Sequence, residues 1–222
     1  MTTQLLINGA DTAPDRATPP ATVLLAHGAG GPMDTPWMTT LAEGLAGRGM
    51  RVARFEFAYM AARRGGASKR PPPKAALLCP EYLSVIEALK CSGPLIIAGK
   101  SMGGRIASLI AQDLFTRQQI AGLVCLGFPF HAPGKAMSTR AAHLAHLTCP
   151  TLVCQGTRDR FGTRGDVEGQ PLSRHVRMHW VEDGDHDLKP RKRVTGRSQD
   201  DTLSEVCETI AAWAQDVLVP TR

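Results

Sequence analysis

Pro94-Leu-Ile-Ile-Ala-Gly-Lys-Ser-Met-Gly-Gly-Arg105 is the stretch that decides how this chain folds. Leu95, Ile96 and Ile97 are β-formers, Gly99-Lys100-Ser101-Met102-Gly103 interrupts them, and a helical pattern follows at once. A G-x-S-x-G segment carries meaning in such a strand–turn–helix setting. The serine of such a turn sits on strained backbone, so the positions two before and two after it must lack bulk. Among the serines of the chain only Ser101 has glycine at both. Ser101 is therefore the candidate nucleophile against which the remaining sequence is read.

The chain has 222 residues, 43% of them hydrophobic, which fits one globular domain spanning 1–222 with a sizeable core. The first residues carry neither a basic segment nor a long apolar one, so no signal peptide is expected. No apolar run approaches the ~20 residues of a membrane span, and a cytoplasmic location without membrane contact is the expectation. Six cysteines are scattered without a C-x-x-C pair, which favours free structural thiols over disulfides or zinc ligands. The formal net charge is +6, with basic runs at Arg63–Lys74 and Lys189–Arg193. These runs lack interleaved aromatics, so solvated basic loops are expected rather than nucleic-acid binding.

Strands and helices alternate along the chain. Thr22–Ala26, Arg51–Phe57, Leu95–Ala98, Ile120–Leu126, Pro150–Gln155 and Val176–Val181 read as strands, with Leu5–Ile7 as a short edge strand. Thr35 as N-cap and Pro36 at the first helical position open a helix. Helices are also expected from Pro80 to Lys90, after Ser101, around Thr139–Leu147, and from the pattern Thr202-Leu-Ser-Glu205 onward. The prolines between Ala58 and Pro73 predict an irregular loop, as do the Ala, Thr, Asp and Pro residues of 8–20. This order predicts an α/β fold, a three-layer α/β/α sandwich around a mainly parallel sheet. Ligands of such a sheet bind at the carboxyl ends of its strands, where every motif of interest falls.

A serine hydroxyl needs an adjacent base. His186, in Gly184-Asp185-His186 after the last strand, is the candidate; His27 is expected to shape its own turn. Asp159, at the end of the preceding strand, is the candidate carboxylate that orients the imidazole, with Asp166 as a weaker rival. Asp183 and Asp185 read as turn formers. An oxyanion hole would take the amide of Met102 and one from the His27–Gly31 turn, Ala29 or else Gly30. Phe128, Phe130, Tyr59 and Trp37 are candidate walls of a substrate pocket. No histidine forms a metal cluster with acidic neighbours, so no metal is expected.

With these residues in view, the chain resembles the α/β-hydrolases over nearly its whole length. The matching segments are Leu-Leu-Ala-His-Gly-Ala-Gly-Gly at 24–31, Gly-Lys-Ser-Met-Gly-Gly at 99–104, Gly-Thr-Arg-Asp at 156–159 and Gly-Asp-His at 184–186. Gly127–Lys135 and Gln155–Gly162 are similar to a dienelactone-hydrolase-like branch, which includes the α/β-hydrolase-like domains of testis-expressed proteins and of the NSL-complex subunit. The resemblance implies acyl hydrolysis through an acyl-serine, with Ser101 as nucleophile, Asp159 as orienting acid, His186 as base, Met102 and Ala29 as oxyanion donors, and no cofactor. Dienelactone hydrolases use cysteine where this chain has Ser101, which argues against their substrate. The implied substrate is a small or medium acyl ester. Thioesters and peptides are alternatives, as is a non-catalytic interaction module. The segment after Leu126 is too short for a lid domain and would cover a pocket only in part.

Overall fold

A computed structural model describes residues 4–10, 19–68, 70–132 and 139–218. Its strands are β1 (Leu5–Asn8), β2 (Thr22–Ala26), β3 (Arg51–Phe55), β4 (Leu95–Lys100), β5 (Gly122–Leu126), β6 (Thr151–Gly156) and β7 (Val176–Val181). Its helices are α1 (Pro36–Ala46), α2 (Ala58–Arg64), α3 (Ala75–Ala88), α4 (Met102–Thr116), α5 (Arg164–Glu168), α6 (Lys192–Thr195) and α7 (Gln199–Leu218). The expected loop over 8–20 lies largely outside the described residues, and so does 133–138 of the segment after Leu126.

The seven strands form one sheet in the order β1-β3-β2-β4-β5-β6-β7. Only β1 is antiparallel, pairing Leu5 with Phe55 at the edge. Alternation along β2 shows why the sheet is covered on both faces: Val23 and Leu25 pack with Met38 and Leu41 of α1 and with Val206, Ile210 and Trp213 of α7. Leu24 and Ala26 point the other way, into a cluster with Tyr82 and Val85 of α3 and Ile106 and Ile110 of α4. The Tyr82 hydroxyl, wholly buried, lies 2.8 Å from the carbonyl oxygens of both Leu24 and Ala98, with one proton to donate to either, and accepts from the Ala98 amide, so it ties β2 to β4. After β2 the chain goes to one side, to β3, and then returns to the other, to β4. The topological switch of the sheet therefore lies between β2 and β4, beside Ser101. Among the described residues no lid domain is inserted.

Several expectations about elements need correction. Residues 58–64 form α2 rather than loop; the prolines that break regular structure begin only at Pro71. Helix α3 starts at Ala75, five residues before the expected Pro80, which sits inside it. Proline there removes the hydrogen bond to the Ala76 carbonyl, and Ala76 is exposed, so water can replace it. The helix expected around Thr139–Leu147 is present over Thr139–His146, wound as 3₁₀. Helix α7 begins at Gln199, because the capping residue is Ser198: its hydroxyl accepts from the Asp201 amide, and the Asp201 carboxylate accepts from the Ser198 amide.

Candidate active site

The turn from β4 into α4 puts Ser101 at φ 50°, ψ −113°, strained backbone for a residue with a side chain. Its amide donates to the Leu126 carbonyl at 2.8 Å and its carbonyl accepts from Arg105. The two flanking glycines are needed sterically. A Cβ on Gly99 would run into the backbone of Gly103 and Gly104, and one on Gly103 would lie 2.6 Å from the His27 carbonyl oxygen. The Ser101 side chain does not cap the helix it opens, which leaves Oγ directed elsewhere.

Oγ meets His186: Nε2 lies 2.8 Å away. On the opposite side of the imidazole, Nδ1 lies 2.8 Å from Oδ2 of Asp159. Three residues from the ends of β4, β6 and β7 thus form one continuous hydrogen-bonded chain. Asp159 is fully buried. Its Oδ1 accepts from the Phe161 amide at 2.9 Å, and its Oδ2 also accepts from Nε2 of Gln155 at 2.9 Å. A buried carboxylate requires such donors. With Asp159 acting as acceptor on Nδ1–H, Nε2 is left as the acceptor for the serine hydroxyl.

Asp166 stands outside this chain of contacts. It closes the capping box of α5 with Thr163 and lies 3.4 Å from His131. Asp183, as the turn pattern indicates, adopts φ 55°, and it pairs with Arg191 and Arg158. Asp185 accepts from the amides of Asp187 and Lys189 within its own turn. His27 shapes its loop: Nδ1 bonds the Gly28 carbonyl at 2.6 Å and Nε2 accepts from the Phe57 amide. Burial lowers its pKa below the ordinary histidine value, which suits an acceptor nitrogen.

The cleft at Ser101 has a volume of about 620 Å³. The Gly28–Gly31 turn forms one wall, Trp37 another, and Phe161 and His186 a third. Met102 supplies the first amide of α4, one of those that a helix leaves without an internal acceptor. The dipole of this 15-residue helix favours negative charge at the same end. Of the four expected wall aromatics, Trp37 lines the cleft. Phe128 and Phe130 do not: both are wholly buried, edge to face at 4.9 Å, in the core cluster that also holds Leu24 and Tyr82. Tyr59 is a brace instead of a wall. Its hydroxyl donates to the Ala29 carbonyl at 3.1 Å and touches the Met102 sulfur at 3.7 Å, so it links the two backbone segments that flank Ser101.

Sequence reasoning missed four side chains here. Gln155 holds Asp159 and also spans the Phe128 backbone, accepting from its amide at 2.7 Å; a lone polar residue closing an apolar strand was its signal. Phe161 packs on the His186 ring at 4.3 Å between centroids. Lys100, inside the glycine motif itself, bonds Asp187 at 2.6 Å and the His186 carbonyl at 3.3 Å, so it holds the loop that carries His186. Burial pushes the Asp187 carboxyl up, but the charge and hydrogen bond of Lys100 outweigh it and leave the pKa below its ordinary value. Arg160 lies on the cleft rim, over the Phe161 ring. A larger hollow of about 800 Å³ lies at the opposite end of the strands, around Pro94 and Ile120. Among the described residues no cluster of His, Cys, Asp and Glu could hold a metal ion, and no helix is long and apolar enough to cross a membrane.

A family model described as the α/β hydrolase domain matches residues 19–215. The chain belongs to this family. Among solved structures, this α/β-hydrolase domain is similar to an α/β serine hydrolase homologue from Coxiella burnetii, at 21% identity and a TM-score of 0.67, over 95% of this chain and 90% of that one. It is also similar to an α/β serine hydrolase without lid from Xanthomonas campestris, at 16% identity and TM-score 0.67, over 99% and 91% of the two chains. Est1E from Butyrivibrio proteoclasticus, a structure with ferulic acid bound, shares 14% identity at TM-score 0.69 over 97% and 95%. At such identities the likeness is one of fold.

Proposed function

We propose that this α/β-hydrolase domain is a serine esterase that cleaves small or medium acyl esters through an acyl-serine. The observation that carries the reading is the pair of 2.8 Å contacts from His186, one to Ser101 Oγ and one to Asp159 Oδ2. His186 Nε2 takes the hydroxyl proton as Oγ attacks the acyl carbon. The negative charge that develops on the carbonyl oxygen is received by the amides of Met102 and Ala29. The imidazolium, steadied by Asp159, passes its proton to the leaving oxygen. Water then enters, loses a proton to His186 and releases the acid from Ser101.

The absence of a lid insertion among the described residues and the cleft walled by Trp37 and Phe161 support short acyl groups. The substrate is a small molecule in this reading. A series of nitrophenyl esters tests it. Hydrolysis is expected to be fastest with short acyl chains and to fall by at least about a thousandfold in Ser101→Ala and in His186→Ala. A rate unchanged in Ser101→Ala, or a maximum at long chains, would contradict it.

A further inference from the structure

We infer that the groove beside the Ser101 cleft is a phosphate-binding subsite, and that the substrate is an acyl thioester or ester whose leaving group carries several phosphates. The inference rests on the esterase reading of Ser101 and names a substrate class for it. The groove, of about 640 Å³, is lined by Arg158, Lys189, Arg191, Lys192, Arg193 and Arg197, with Asp185 as its one acidic side chain. Arg158 and Arg191 are committed to Asp183, and Arg197 to Glu205. Asp185 is committed too, accepting from the amides of Asp187 and Lys189. Asp201, nearby on α7, caps that helix through Ser198. Lys189, Lys192 and Arg193 have no carboxylate within ion-pair distance among the described residues. Lys189 and Lys192 feel the Asp187 and Asp201 carboxylates only at longer range, and three cations without a close ion pair along one groove leave a local field that attracts a polyanion.

The position of this groove relates it to Ser101. Gln199 lines both the groove and the cleft, and its amide donates to the Asp187 carbonyl at 2.9 Å, one residue from His186. A ligand with its acyl carbon at Ser101 can therefore run along the cleft, pass Gln199 and enter the basic groove on the far side of the His186 loop. A single carboxylate would leave most of these cations unmatched. Phosphates spaced along a leaving group match lysine point charges and an arginine fork in turn. For a thioester, the Ser101 Oγ–acyl bond forms as the acyl–sulfur bond breaks, and the serine proton goes through His186 to the thiol. Water then splits the acyl-serine into carboxylic acid and free enzyme.

Coenzyme A and pantetheine are suitable probes, since they share the thiol arm and differ in the phosphorylated nucleotide. Calorimetric titration of the whole protein at low salt is expected to show coenzyme A binding at least about tenfold more tightly than pantetheine, as two or more charged contacts imply. The advantage should vanish in the double variant Lys192→Glu with Arg193→Glu, whose thermal midpoint should match the wild type, and it should shrink as salt is raised. Equal affinities in the wild type would overturn the inference, and so would an advantage that survives the double variant. A short RNA that binds where coenzyme A does not would also overturn it. Hydrolysis of nitrophenyl acetate reports on Ser101 separately: an active enzyme without phosphate preference loses only the groove, whereas an inert one loses the esterase reading.

Discussion

Asp159 sits with no solvent exposure and takes hydrogen bonds from His186, Gln155 and the Phe161 amide. A carboxylate so placed keeps its orientation only while its donors remain. Gln155 matters most, because its Oε1 accepts from the Phe128 amide while the two N–H groups of its Nε2 are shared among Asp159 and the carbonyls of Phe128 and Gly162. Replacing Gln155 by Leu strands these groups in the interior, at about 1–3 kcal/mol for an unsatisfied buried group. Gln155→Leu should therefore lower the denaturation midpoint and reduce kcat on a short ester more than it raises KM, as expected of a residue that positions Asp159. A variant with unchanged kcat would show that the Gln155 contact is only structural. Ser101, Asp159 and His186 were legible because each sits in a short motif at a strand end. Gln155, Phe161 and Lys100 were not, because their partners come from other strands and meet them only in the folded sheet.

At the scale of elements, the turn between β4 and α4 depends on the close approach of helix to strand. A methyl on Gly99 would meet backbone atoms of Gly103 and Gly104, which cannot swing away as a side chain could. Gly99→Ala should cost at least the 1–3 kcal/mol typical of overpacking, read as a lower thermal midpoint, and should displace Ser101 from His186. A variant of wild-type stability and activity would mean that the turn relaxes without strain. The strands were legible from their apolar runs, and β2 and β7 match the expected bounds. Helices were read less well where local signals compete with packing. Pro80 looks like a helix start, yet Leu78 of the preceding turn is buried against the sheet, so tertiary packing extends α3 back to Ala75. The Thr202–Glu205 pattern imitates the Ser198–Asp201 capping box one turn on, but Thr202 is buried inside the helix and its hydroxyl bonds the Leu188 carbonyl.

At the scale of the whole molecule, several ion pairs among the described residues hold the loop that follows β7. Asp183, after β7, binds Arg191 and Arg158 on either side of the His186 loop. The Arg191 guanidinium holds the Asp183 carboxyl down at a pKa of about 2, against roughly 3.9 for an unfolded aspartate. A depressed carboxylate pKa stabilises the fold fully above the unfolded value, and the contribution is lost as pH falls through the folded one. Asp183→Asn should therefore have a lower denaturation midpoint than the wild type at pH 7, with the gap closing between pH 4 and pH 2. A gap that persisted at pH 2 would contradict the assignment.

Reaction with a fluorophosphonate probe tests most directly whether Ser101 is an activated nucleophile. The wild type should be labelled stoichiometrically, with the adduct mapped by mass spectrometry to the peptide that contains Ser101, while Ser101→Ala stays unlabelled and His186→Ala reacts far more slowly. A wild-type protein that resists the probe, or a Ser101→Ala variant labelled to the same extent, would contradict it.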